Sequence, residues 1–223
     1  MAWMTCITFI LTTVFANAQT PENETDTVTL VHDTYTSVFA KSAHIPVVVT
    51  YTLRGSDITC MPKVERSNNF RADPMLLGTS LEKDYAKSGY DCGHNMSAED
   101  NACSAAHMND CFYYTNMYPQ RPGLNRGIWK RLEVQERKMA VADDSVIVWV
   151  GSYGSSKTIG PDKVVVPDYC WKVIYIPKLD TWLSYSFPNI NVLQPVFSAY
   201  NVPAEQVPWI RYVVNHWGGG TMP

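Results

Sequence analysis

Charge is scarce in this chain. Asp, Glu, Lys and Arg make up only 17% of its 223 residues, and none occurs before Glu22. With 18 Lys+Arg against 21 Asp+Glu the net charge is −3, which excludes a uniformly basic coat for nucleic acid. Contact with a polyanion must therefore come from a local patch. No repeat and no low-complexity tract occurs, so a fibrous or repetitive architecture is set aside. No two cysteines lie two to four residues apart, and the paired spacing of a structural zinc site is missing. No apolar run is long enough to span a bilayer. What is present, 46% apolar and 12% aromatic residues, is ordinary for a packed globular core of one domain.

The uncharged start has the layout of an export signal. An apolar stretch, Ile7–Phe15, is followed by Ala16-Asn17-Ala18, a small-x-small cleavage site, and then by polar Gln19–Asp26. The n-region departs from the pattern by lacking Lys or Arg, and a buried N-terminal strand is the competing reading. We expect residues 1–18 to be removed, 19–31 to form a flexible leader, and 32–223 to form one domain that is secreted or periplasmic, without membrane contact. Cysteine use agrees with an oxidising compartment. Cys60, Cys92, Cys103, Cys111 and Cys170 remain after the signal, and the odd number suggests two bridges and one free thiol. Cys103 and Cys111 are near enough in sequence to staple a loop, among other pairings.

Ile45–Leu53 is β-branched and aromatic and predicts a strand; Ser145–Val150, Tyr169–Ile176 and Trp182–Phe187 predict three more. Ser56–Gly89 is irregular, with Asp73-Pro74 as turn chemistry. Leu124–Ala142 interleaves apolar residues with charge and predicts a helix. The mixture lacks βαβ regularity, which predicts an α+β fold with a mainly antiparallel sheet flanked by helices.

Residues 90–137 concentrate the chemistry: Asp91-Cys92-Gly93-His94, then Thr115-Asn116-Met117-Tyr118-Pro119-Gln120, then Leu124-Asn125-Arg126-Gly127-Ile128-Trp129 up to Leu132-Glu133. A neutral His can deprotonate water, and an amide oxygen completed by waters is the hard-oxygen shell that Mg²⁺ prefers. On a regular helix Asn125 and Glu133 return to within about 80° of each other, with about 12 Å of rise, so water must bridge them at any shared ion.

At these residues the sequence resembles the DNA/RNA non-specific endonucleases, the ββα-metal nucleases. Their pattern is Asp-Arg-Gly-His, Thr-Asn-x-x-Pro-Gln, then Leu-Asn-x-Gly-x-Trp-x-x-Leu-Glu. The resemblance runs from about His32 to Tyr212 and includes Asn69–Pro74 upstream and Trp171–Ile174 downstream. It implies a ββα-metal fold and a Mg²⁺-dependent hydrolase, with Mn²⁺ as a possible substitute, cutting DNA and RNA without sequence specificity. It implies His94 as general base, Asn125 as the direct metal ligand, Glu133 positioning a metal-bound water, and Asn116 helping to orient the site. Trp129 would pack the helix on the sheet.

The family's Arg before Gly-His is Cys92 here, and a thiol cannot supply its charge. Arg126, Arg66 or Arg71 would have to do so. Between Gln120 and Ala140, Arg121, Arg126, Lys130, Arg131, Arg137 and Lys138 face only Glu133 and Glu136, which suits a phosphate backbone read without its bases. Arg66, Arg71, Arg121 and Lys130 are the expected substrate contacts. A non-catalytic nucleic-acid-binding relative is the main rival, but it would need none of His94, Asn125 and Glu133. A zinc site built from Cys92, His94, Cys103, His107 and Cys111 explains these residues less well than disulfides do. His32, His44, His107 and His216 read as structural. Gly151–Thr158 is near a phosphate loop but lacks the Gly before Lys, and reads as a hairpin or loop. The sequon at Asn95, beside His94, reads as accidental.

Overall fold

A computed structural model describes residues 26–210. The expected export signal and His216 lie outside the described residues. β1 (Thr27–Val31), β2 (Thr36–Ala40) and β3 (Ile45–Arg54) open the chain, followed by a short helix, α1 (Gly55–Ile58). A long coil then carries α2 (Glu82–Tyr85). β4 (Asp91–His94), α3 (Ala105–Asp110) and β5 (Met117–Gln120) come next, and a π-helical turn, Leu124–Trp129, leads into α4 (Lys130–Ala142). β6 (Ser145–Tyr153), β7 (Lys157–Ile159), β8 (Val164–Val166), β9 (Tyr169–Ile176) and β10 (Thr181–Pro188) follow.

Six strands form one antiparallel sheet in the order β1-β2-β3-β6-β9-β10. Strand alternation divides the core between its two faces. Val49, Tyr51, Leu53, Val146, Val148, Val150 and Ile174 face α4 and pack with Trp129, Leu132 and Ala140. Val48, Trp149, Trp171 and Val173 face the other way and are covered by Ala204, Val207 and Ile210. Lys172 falls on the α4 face and is fully buried, with Nζ 2.9 Å and 3.0 Å from the two carboxylate oxygens of Glu136. A third apolar cluster, with Phe112, Tyr114, Met117 and Met108, supports the β4–β5 hairpin.

Four expectations change. Thr27–Val31, read as part of the leader, pairs in full register with β2, because its alternating pattern buries Leu30 and leaves Val31 to solvent. The single straight helix from Leu124 is divided: Gly127 has φ −98°, ψ −113°, and α4 begins only at Lys130. Cys103 pairs with Cys60, not Cys111, since a Cα–Cα separation of 5.7 Å suits a bridge. Among the described residues Cys92, Cys111 and Cys170 are free thiols, so one bridge is found there in place of the expected two. The region Gly151–Thr158 is the end of β6, a connection through Gly154 and the start of β7; β7 pairs with β8 and not with β6, so of the two readings the loop holds and the hairpin does not.

Candidate active site

The site is assembled where the β4–β5 hairpin meets the start of the helix. Asp91 pairs with Gln120 and His94 with Met117. Gly93 lies between them because a Cβ there would come within 2.5 Å of the Gln120 side chain, which accounts for the Gly-His step of the motif.

Asp91 connects this hairpin to the π-helical turn. Its carboxylate accepts a hydrogen bond from Asn125 Nδ2 at 2.8 Å and a two-point contact from Arg126, at 2.8 Å from Nε and 2.6 Å from a terminal nitrogen. With its nitrogen held, the Asn125 amide has its oxygen left to offer a cation. Asp91 heads the motif, yet sequence reasoning assigned it no role; its position one turn of chemistry away from Asn125 was visible only in three dimensions.

His94 is buried, with its ring edge-on to Phe112 at 4.9 Å and to Phe70 at 5.9 Å. Burial, together with the nearby Arg66 cation, pushes its pKa down to about 3, against a hydrogen bond to the Cys92 backbone that favours the charged form. The ring is therefore neutral at ordinary pH, and its Nε2 has no protein partner among the described residues. That is the state a general base needs.

Glu133 is half-buried on α4 and makes no hydrogen bond among the described residues. Burial pushes its carboxyl up to about 8, opposed by Lys172 and reinforced by Asp100 and Glu136. An unpartnered carboxyl in this setting and an amide oxygen held outward are a donor set that suits a hydrated hard cation such as Mg²⁺. Among the described residues no group of three or more His, Cys, Asp or Glu could hold a metal, so the fit is that of one protein ligand completed by waters.

Asn116 is fully buried and its amide is spent on backbone. Nδ2 donates to the Met96 and Cys111 carbonyls, both at 2.9 Å, and Oδ1 accepts from Met96 N–H. It braces the chain just after His94 and has no polar atom left for substrate, so among the catalytic candidates it is one that can act only by positioning. Asn95 is also fully buried, with its amide on the Asn116 carbonyl, so a glycan has no room there.

The arginines separate by partner. Arg71 donates to the Asn69 and Asn109 carbonyls, faces Asp110 and stacks on Tyr113, which makes it a structural clamp and not a substrate contact. Arg126 is engaged by Asp91, Arg137 by Asp100 and Arg131 by the Pro195 carbonyl. The basic face of the helix is thus narrower than its sequence suggests, with Lys130 and Lys138 as its exposed free cations among the described residues. Arg66 is different. Among the described residues it bonds only Asn68, at 2.8 Å, and lies 4.8 Å over the Phe112 ring, on which His94 also packs. Cys92 is neutral: burial, with Asp91 nearby, pushes its thiol up to about 12. Of the three arginines considered for the missing charge, Arg66 is the one beside His94 without a carboxylate partner.

Comparison with known proteins agrees with this geometry. The DNA/RNA non-specific endonuclease family matches residues 12–216. Mitochondrial endonuclease G of Homo sapiens is 30% identical over 160 residues, 64% of this chain and 54% of that protein. Mitochondrial nuclease EXOG of Danio rerio is 36% identical over 123 residues, 49% of this chain and 36% of that protein. The chain thus matches about a third to a half of the length of these curated relatives. A crystal structure of an EndoG/EndoGI complex superposes with a TM-score of 0.74 at 27% identity, covering 79% of this chain and 80% of the other. A β4–β5 hairpin leading into a helix, with a neutral His on one arm and a held Asn on the other, is therefore the ββα-metal arrangement, and the chain belongs to the DNA/RNA non-specific endonuclease family.

Proposed function

We propose that this chain is an exported endonuclease that hydrolyses phosphodiester bonds of DNA and RNA without reading bases. The observation that carries the reading is the pairing of a neutral His94, with Nε2 free, and an Asn125 amide whose nitrogen is fixed by Asp91. His94 would take the proton from the attacking water. Asn125 would hold a Mg²⁺ ion, with Mn²⁺ able to replace it, and Glu133 would orient a water of its shell. When bound, such an ion neutralises charge at the scissile phosphate and the leaving oxygen. Arg66 would supply the further positive charge that Cys92 cannot.

Export is supported by the uncharged segment ending in Ala16-Asn17-Ala18 and by the Cys60–Cys103 bridge. The two relatives described above are named as mitochondrial, but an organelle transit peptide is Arg-rich, whereas the segment before position 54 has no Arg.

The test is incubation of residues 19–223 with supercoiled plasmid and with RNA, in Mg²⁺ and in EDTA, beside His94→Ala. Cutting of both substrates that needs metal and vanishes in the variant is the expected result. Plasmid retarded on the gel yet uncut at high protein would instead establish the non-catalytic binder.

A further inference from the structure

One cationic cluster lies beside the hairpin without belonging to the reacting centre. Tyr90 precedes Asp91 and Arg121 follows Gln120, so the two sit just beyond the Asp91–Gln120 rung at which the β4–β5 ladder ends. The Arg121 guanidinium sits 4.2 Å from the Tyr90 ring centroid, and Lys157 Nζ, arriving from β7, sits 4.9 Å from the same ring. A cation held over an aromatic face keeps its N–H donors available, whereas one held by a carboxylate has spent them. Neither cation has a salt-bridge partner among the described residues; one carboxylate, Asp168, lines the same cavity of about 420 Å³.

The floor of this cavity is fixed. Asn189 donates to the Pro119 and Pro167 carbonyls, both at 2.9 Å, and accepts from Arg121 N–H at 2.7 Å, while Asn191 accepts from Gly123 N–H at 3.1 Å. Two like charges converge on one ring over a floor that cannot easily move away, which suits a ligand bearing spaced negative charge.

We propose that Arg121 and Lys157, arranged by Tyr90, form a phosphate subsite for the nucleic-acid strand flanking the phosphodiester that is cut. This rests on the hydrolase reading for its occupant, a phosphodiester backbone. It adds Lys157 and Tyr90, which the motifs do not mark, and makes strand length a determinant of affinity.

Binding is measured in EDTA, where nothing is cut, by fluorescence anisotropy of a labelled 12-nucleotide single strand at several salt concentrations. Lys157→Gln should raise Kd about 5- to 10-fold at low salt and lower the slope of log Kd against log salt by about 0.7, the share of one phosphate on a single strand. Tyr90→Leu should weaken binding in the same direction. Lys178→Gln removes an equal charge at the far end of the β9–β10 hairpin and should change neither quantity. Unaltered affinity and slope in Lys157→Gln would overturn the subsite. Micromolar binding of inorganic phosphate that Lys157→Gln abolishes, with strand affinity untouched, would also overturn it in favour of a free-anion site. A wild-type chain that binds through Lys157 but cuts no plasmid would uphold the subsite while overturning the hydrolase reading.

Discussion

At the scale of single residues, the role proposed for Arg66 follows from Cys92 standing where the family motif has Arg. Removing one charged donor from a phosphate-transfer site costs about 10²–10³ in rate. Arg66→Ala should show that loss in kcat on plasmid, and Cys92→Arg in the Arg66→Ala background should recover a large part of it. If Arg66 merely packed on Phe112, the second change would not help. Acidity offers an independent reading. The His94 pKa is depressed, so the proton that disables the base binds only at lower pH than an ordinary imidazole would require. The pH profile of kcat/KM at saturating Mg²⁺ should therefore show no unit-slope fall attributable to His94 between pH 7 and pH 5. A unit-slope limb centred near 6.5, matched by an NMR titration of the His94 ring at the same pH, would contradict the buried, neutral ring.

At the scale of elements, α4 is held to the sheet by Trp129 and by the buried Lys172–Glu136 pair, with Tyr51 donating to Glu136 at 3.2 Å. Removing one member of a buried pair leaves the other charged and unpaired, at a cost of about 3–5 kcal/mol. Urea unfolding of Lys172→Met should show a destabilisation of that size, and the double change Lys172→Met with Glu136→Leu should restore most of it. The strands β3, β6, β9 and β10 were legible because runs such as Ile45–Leu53 and Tyr169–Ile176 carry β-branched and aromatic residues that suit a sheet buried on both faces. The break at Gly127 was not, since a glycine inside an amphipathic pattern does not say whether the helix merely tolerates it. The motif residues His94, Asn125 and Glu133 could be named from order and spacing. Their partners could not: Asp91 on Asn125, Asn116 on Met96 and Arg71 on Asn109 are set by packing between segments remote in sequence.

At the scale of the whole molecule, one covalent link joins residues 43 apart, from the coil after α1 to the start of α3. Closing a loop of that length is worth about 4 kcal/mol in the chain-entropy account, and native bridges commonly give about 2–4. Cys60→Ser with Cys103→Ser should lower stability to urea by that amount, and dithiothreitol should do the same to the unaltered chain but nothing to the variant. The ring so closed contains Arg66, Phe70, Asp73 and His94, and within it Leu77 is 96% exposed and Met75 52%. A protease that clips the backbone between Met75 and Gly78 would accordingly release no fragment: the two pieces would travel as one band on a denaturing gel until a reductant is added.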